Sequence, residues 1–472
     1  MSYTKFKIVF CLLFFAQQSW SQELQWSDPI IVNDDYLLGD VRPRIVLNSS
    51  SNPIVIWGKQ GTSKSIHVSI LSGGSFSTPV QLVDAEINPY IGSLIGPEMA
   101  VDNDVVYISL EGENANGEEH IYLLASFDGG NTFSDTIRVE DVANNAVLPN
   151  VAISAIGNPV VSFMHVNSSW SNTNQMMTQS FDAGNSFEEE VSASGMSNNQ
   201  PCECCFSKVV VDGDTYVVVL RDNDNNVRNM YASISYDAGQ TFSEYILLDG
   251  VDWNLNACPD AGPDAYISDG YLYAVWRSGS TGENLIHSAK LNLSNQVLEV
   301  SSIVDNMSSV LQKMPDIAGN KDTVAVVWTD NRDNINDCFL SFSTDGMETW
   351  SQSVAFSDTL VMANFNEPDV AFENGVIHTV YRNISTHQVL YRTATFGDFS
   401  SLNKEVVSSD LQFYPNPVNE QLFLKEKGEY TIYNTEGKKV LSGHSSEVDV
   451  QSLSNGSYLI KMKNSTRQFI KE

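Results

Sequence analysis

Ser126-Phe127-Asp128-Gly129-Gly130-Asn131-Thr132-Phe133 recurs as Ser180-Phe181-Asp182-Ala183-Gly184-Asn185-Ser186-Phe187 and as Ser235-Tyr236-Asp237-Ala238-Gly239-Gln240-Thr241-Phe242. A weaker copy stands at Ser343-Thr344-Asp345-Gly346-Met347-Glu348-Thr349-Trp350, with Met347 where the second glycine belongs. The starts lie 54, 55 and 108 residues apart, and 108 is two periods of 54 with one copy decayed between them. A fixed period near fifty residues with strand-like patterning between the marks indicates a radial β-propeller. The turn has a physical logic: its Asp accepts backbone N–H bonds, its Gly supplies a positive φ, and its final aromatic packs beneath. Asp128, Asp182, Asp237 and Asp345 are therefore read as structural staples.

Extending the register gives seven opening strands, at 44–47, 99–101, 151–153, 209–211, 265–267, 316–318 and 369–371. Decayed turns are expected near Ser72, Ser288 and Thr393. The seventh unit lacks an evident closing strand, and residues 29–32 near the N-terminus are expected to supply it and so remove the exposed edges. The turn is the Asp-box, and the region resembles the sialidase-like propellers with Asp-box (BNR) repeats. That family's usual six blades make a six-bladed ring with one peripheral unit the alternative to seven.

Aromatic and β-branched residues are plentiful and no long amphipathic helical stretch stands out, so the chain reads as all-β. A formal net charge of −32 over 472 residues argues against nucleic acid and anionic membrane as partners. Lys5 and Lys7 precede an apolar run from Ile8 to Ala16, followed by Ser19-Trp20-Ser21, the pattern of an export signal over residues 1–21. No later run approaches the roughly 18 apolar residues of a membrane span. The propeller is assigned to residues 22–405 and a small C-terminal β-sandwich to 406–472. Residues 411–472 hold 8 Lys/Arg against 7 Asp/Glu, so the acidity lies upstream. The Tyr414-Pro415-Asn416-Pro417 opening, the Gly437-Lys438-Lys439-Val440 turn and the Asn455-Gly456-Ser457-Tyr458 hairpin resemble the type IX secretion system sorting domain. That resemblance implies an outer-membrane secretion partner and a secreted or surface-displayed protein, expected to be a monomer.

In a four-stranded antiparallel blade, the loops after strand two and those between blades share the face opposite the Asp-boxes. Arg221, Arg277 and Arg382 each follow a second strand, Arg332 lies further along the equivalent loop, and Arg44 opens the first blade. In so acidic a chain they form a candidate anion site; the competing reading pairs each with a nearby carboxylate such as Asp222 or Asp333. The sialidase resemblance implies an arginine triad, an Arg-Ile-Pro opening, a Tyr–Glu pair and an acid/base Asp. Arg44-Ile45 matches the opening, Val46 replaces the Pro, and no Tyr–Glu pair is matched by motif. Asp40, Asp222, Asp260, Asp264 and Glu283 are the carboxylates the loops supply.

Cys202, Cys204 and Cys205 enter the fourth unit and Cys258 the fifth, so they are expected together on that face, with Cys338 pointing toward it. A bridge from the cluster to Cys258 is the default in an exported protein. A thiolate-bound copper or zinc is the alternative. A structural calcium is conceivable in the Asp/Asn-rich loops 222–226 or 330–337; no cofactor is required. Two functions survive: a non-catalytic propeller binding a glycan, a protein or another anionic ligand, and a diverged exo-sialidase-like glycoside hydrolase.

Overall fold

The computed structural model describes residues 24–471 apart from 34–38, 62, 84–85, 141–144, 168, 260–261, 333, 358–363, 397–412, 435–437 and 463–464. The export signal lies outside the described residues. The chain divides into two compact units, residues 1–396 and 397–472. No helix among the described residues is long and apolar enough to cross a membrane.

The first unit is built from seven antiparallel sheets. Their first strands are Asp40–Leu47, Glu98–Asp102, Asn145–Ile153, Lys208–Asp212, Pro263–Ser268, Lys313–Asn320 and Phe365–Glu373. Each of these packs beside the next, and the seventh packs beside the first, so the ring closes. Seven blades, not six, surround one central channel. Leu24–Trp26 and Ile30–Ile31 pair with Gln388–Phe396 as the outer strand of the seventh blade. The closing strand thus starts earlier than residue 29. Trp26 stacks on Phe356 at 5.4 Å, under the Arg392 guanidinium.

The central strands of the blades read as unbroken apolar runs because both faces are buried. In Thr215–Asn223, Val217 and Val219 face the fifth blade while Val218 and Leu220 face the third. Seven such apolar layers fill the seven blade interfaces, one each.

The Asp-box turn repeats its bonding in every copy. In the third, Ser235 Oγ donates to Asp237 Oδ1 at 2.7 Å, and Thr241 N and Oγ1 donate to the two Asp oxygens at 2.9 and 2.7 Å. Gly239 N donates to Ser235 Oγ at 3.0 Å. A Cβ on Gly239 would meet Met177 Cε at 2.6 Å, so the glycine serves close approach to the preceding blade as well as its φ of 79°. The fourth copy keeps the same turn although Met347 sits at φ 73°, because its fully buried side chain fills the interface beneath. Backbone bonds such as Ala238 N to Asp214 O tie these turns to the hairpins that end the first strands, fixing the Asp-boxes to one face. The decayed copies differ from expectation: Ser288 and Thr393 lie within third strands.

The second unit is a five-stranded antiparallel sheet of Phe413–Tyr414, Gln421–Asn434, Lys439–Asp449, Gly456–Met462 and Ser465–Lys471. A parallel bridge from Val418 to Lys471 brings its two ends together around a core including Leu422, Ile432, Val448, Ile460 and Phe469. Gln421–Asn434 is one long strand whose pairing with Lys439–Asp449 shifts register between Phe423 and Gly428.

Candidate functional site at the channel mouth

Each first strand begins at the channel with a three-residue unit whose last member faces the axis. The units are Arg42-Pro43-Arg44, Gly96-Pro97-Glu98, Leu148-Pro149-Asn150, Phe206-Ser207-Lys208, Gly262-Pro263-Asp264, Met314-Pro315-Asp316 and Glu367-Pro368-Asp369. Proline is tolerated here because the inner edge of a first strand has no ladder partner to donate to. In four of the seven, the residue before proline has a positive φ (Arg42 51°, Leu148 56°, Met314 54°, Glu367 57°), and the strand bulges there. The bulge turns the last residue inward. Arg44 and Asp316 from bulged strands, with Glu98, Lys208 and Asp264 from unbulged ones, wall both the cavity at the mouth, opposite the Asp-boxes, and the cavity below it.

These inward side chains also join neighbouring blades. Asn150 Oδ1 accepts from Val209 N at 3.0 Å, Asp264 Oδ2 from Ile317 N at 2.9 Å, Asp316 Oδ2 from Val370 N at 2.8 Å, and Asp369 Oδ2 from Ile45 N at 2.7 Å. Each bond runs from the first strand of one blade to that of the next. The last one closes the ring.

The charges interlock. Arg44 reaches Glu98 at 3.3 Å and Asp369 at 3.1 Å, Lys208 holds Asp264 at 2.8 Å, and Arg42 is paired with Glu98. Burial alone would push the Glu98 carboxyl up, but Arg44, Arg42 and Lys208 outweigh it and hold it at about 2. Asp316 goes the other way: burial first, then the neighbouring Asp264 and Asp369 charges, push it well above the ordinary carboxylate range. A carboxyl held low and a carboxyl pushed up therefore share one cavity. Glu367 accepts from Arg42 N at 2.6 Å and from Arg382 Nη1 at 3.2 Å. The Nε atoms of Arg42 and Arg382 are buried and have no acceptor among the described residues.

Of the five arginines singled out from sequence, Arg44 lines the mouth and Arg382 stands behind Glu367; the other three do not converge there. Arg221 is fully buried and donates to the carbonyls of Arg228 and Arg277, not to Asp222. Arg277 donates to Asn284 Oδ1 and Pro259 O, and Trp253 stacks near both guanidiniums, at 5.0 Å from Arg221 and 5.9 Å from Arg277. Arg332 is clasped by Asp330 and by Asp305 at the outer strands, while Asp333 lies outside the described residues. Arg332 thus takes carboxylate partners, whereas Arg221 and Arg277 hold loop carbonyls and an amide. Of the carboxylates, Asp264 is in the channel; Asp260 and the Asp40 side chain lie outside the described residues; Glu283 is half-buried on its loop. Asp222 accepts from Tyr245 Oη and from Ser197 Oγ, the latter at 2.7 Å, and Asp330 accepts from Arg332 and Trp328. Glu98, Lys208, Asp316 and Glu367 were not singled out by the motif reading. Their signal was the recurrence of Pro43, Pro97, Pro149, Pro263, Pro315 and Pro368 near the blade period.

The cysteine segment interrupts the fourth blade's first strand, between Gln200–Pro201 and Lys208–Asp212. Cys204 is disulfide-bonded to Cys258. The Sγ atoms of Cys202 and Cys205 lie 2.6 Å apart, and Cys202 Sγ is 3.8 Å from Cys204 Sγ. Arg228 Nη1 donates to Cys202 Sγ at 3.1 Å and also pairs with Glu203. The three sulfurs are close enough to share a soft metal. With Cys204 in a disulfide, however, they are not a three-thiolate set. Cys338 does not join them; it is buried between the sixth and seventh blades.

Residues 412–472 match the secretion system C-terminal sorting domain. No curated protein matches the chain. Among solved structures, an ulvan lyase of polysaccharide lyase family 25 superposes with a TM-score of 0.50 at 13% identity, covering 78% of this chain and 94% of that one. A fungal alcohol oxidase of the AA5 family, in complex with copper, gives 0.50 at 10% identity, covering 95% and 99%. A Hadza microbial sialidase gives 0.44 at 13% identity, and this chain covers 76% of itself and 66% of that chain, less than two thirds. At such identities the likeness is one of fold.

Fold and tail together define a class: a seven-bladed β-propeller with Asp-box turns, followed by a type IX secretion sorting domain. Its tail directs it through the secretion machinery to the outer cell surface or beyond.

Proposed function

We propose that this exported propeller binds an anionic glycan at the channel mouth. The observation that carries the reading is Arg42 Nε, a buried guanidinium donor with no acceptor among the described residues, in the wall of the concave cluster of Arg44, Asn150 and Lys208. Planar donors in a desolvated cleft suit carboxylate and sulfate oxygens, and hydroxyl-rich sugars suit the surrounding amide and carboxylates. A glycan array probed with the mature protein and with Ser93→Trp tests it. Ser93 lines the mouth without belonging to an ion pair, so the expected result is binding of an acidic oligosaccharide that Ser93→Trp abolishes. Binding of nothing on the array, or binding indifferent to that substitution, refutes it.

One observation favours a second reading, a diverged glycoside-processing enzyme: one cavity holds a carboxyl pushed up, Asp316, near one held low, Glu98, the pattern of an acid and a base. No tyrosine lines this mouth among the described residues, so the family's tyrosine nucleophile has no counterpart here. Release of reducing sugar from the bound oligosaccharide, lost in Asp316→Asn, is the result that would establish it; an oligosaccharide recovered intact would eliminate it.

A further inference from the structure

Four cysteines gather at the rim of the channel mouth, and the oxidation state the structure records accounts for only two. Cys202-Glu203-Cys204-Cys205 is a tight turn, with Cys205 N donating to Cys202 O at 3.1 Å. It brings Cys202 Sγ to 2.6 Å from Cys205 Sγ. Unbonded heavy atoms rest about 3.5–4.0 Å apart, and a disulfide measures about 2.05 Å, so the two sulfurs are already inside contact distance. Both residues are buried, at 0% and 3% exposure, beyond direct reach of a solution oxidant. Their neighbour bridge is not: Cys258 is exposed and Cys204 half-buried. Cys202 Sγ faces Cys204 Sγ at 3.8 Å, and Arg228 holds it at 3.1 Å. The contact with Cys205 lowers the Cys202 thiol to about 7, the Arg228 and Arg221 cations assist, and a thiolate is the attacking form.

We infer that Cys202 and Cys205 are a redox-active dithiol that is oxidised to a second disulfide through the surface bridge Cys204–Cys258. Cys202 thiolate attacks Cys204 Sγ and forms the Cys202–Cys204 bond, and Cys258 leaves as thiolate. Cys205 thiolate then attacks Cys202 Sγ, forms the Cys202–Cys205 bond and expels Cys204 thiolate. An external disulfide reoxidises the Cys204 and Cys258 pair by the same exchange, taking two electrons and leaving as two thiols that carry off the two protons. The net change is one buried disulfide gained and one external disulfide reduced.

The segment being locked reaches the ligand site. Phe206 and Ser207 line the mouth, Phe206 packs 5.0 Å from the Arg42 guanidinium, and Lys208 opens the blade beside Asp264. Gly262 allows this: a Cβ there would meet the Phe206 ring at 2.2 Å. Closing the 202–205 turn therefore fixes the residues on which Arg42 and Lys208 rest.

The test uses the full chain and oxidised glutathione as the external disulfide. After oxidation, acid quench and alkylation under denaturing conditions, peptide mapping reads each cysteine. In the wild-type protein the Cys202 and Cys205 thiols disappear together while Cys204–Cys258 is retained. The Cys204→Ser, Cys258→Ser double variant slows that loss at least tenfold, because the entry point is gone. Cys205→Ser, which removes only the resolving sulfur, accumulates a Cys202–Cys204 disulfide with Cys258 alkylated. Cys202 and Cys205 that stay thiols in folded wild-type protein overturn the inference. So does oxidation at an unchanged rate in the double variant, or stoichiometric copper or zinc that protects both thiols from alkylation. Should the double variant fail to fold, the Cys205→Ser trap decides: no Cys202–Cys204 species, no relay.

Discussion

Replacing Asp316 separates its two roles, as acceptor between blades and as buried acid. Its Oδ2 takes the Val370 N–H at 2.8 Å, and Val370, on the seventh blade, is buried against the sixth. Asp316→Ala leaves that donor without a partner, a loss of about 1–3 kcal/mol. Asp316→Asn keeps an acceptor in the same place and removes the ionisable group. The two variants should differ by that same ~1–3 kcal/mol, which a urea titration reads as a midpoint difference of about 0.3–1 M for a slope near 3 kcal/mol/M. The pH dependence has a definite sign. Burial and the adjacent Asp264 and Asp369 raise Asp316 in the folded protein. Below the unfolded pKa both states hold the proton and wild type suffers no penalty. Above it the unfolded chain ionises first, so wild type loses stability relative to Asp316→Asn as pH rises from about 4 toward the folded pKa. Urea midpoints at pH 4, 6 and 8 measure this. A wild-type to Asn difference that stays flat or shrinks with rising pH refutes the buried-acid assignment, and Ala equal to Asn refutes the blade-to-blade bond.

Other consequences follow from the same contacts. Asp237→Ala removes the acceptor of an exposed turn and should cost about 1–2 kcal/mol, with Asp128→Ala and Asp182→Ala matching it in thermal denaturation because the bonding is repeated. Met347→Gly relieves a positive φ worth about 1–3 kcal/mol but empties a fully buried site worth about 2–5; net destabilisation by calorimetry is expected, and a gain would show that the turn is the strained element. Trp26→Ala strips the closing strand of its stack on Phe356 and should lower stability by at least about 0.5–1.5 kcal/mol, with amide exchange rising first in residues 388–396. Deleting residues 412–472 should leave the propeller's melting temperature unchanged while cell fractionation finds the protein retained inside the outer membrane.

The propeller and its seven blades were legible because the signals are local: each Asp-box is eight residues long and each strand carries its own apolar run. The sorting tail was legible for the same reason. The candidate site was only partly so. Arg44 and Asp264 were picked out, yet Arg221, Arg277 and Arg332 follow the same register and end up tied to loop carbonyls, amides and carboxylates. A strand register fixes the face a residue leaves from, and the long arginine side chain then travels to whichever acceptor is nearest. Nothing in the spacing of Cys202 and Cys205 announced their contact across a turn, since sulfur geometry depends on backbone angles that composition does not set.

What the chain determined by itself was repetition: period, turn chemistry, strand polarity and the two-unit organisation all reside in residues near one another in sequence. What only the tertiary structure decided was convergence. Asp369 meets Ile45 across 324 positions and Glu98 lies between Arg42 and Arg44, because closing the ring brings the starts of seven strands to one axis. Inside that channel, burial and neighbouring charge, not residue identity, hold the Glu98 carboxyl low and push the Asp316 carboxyl up.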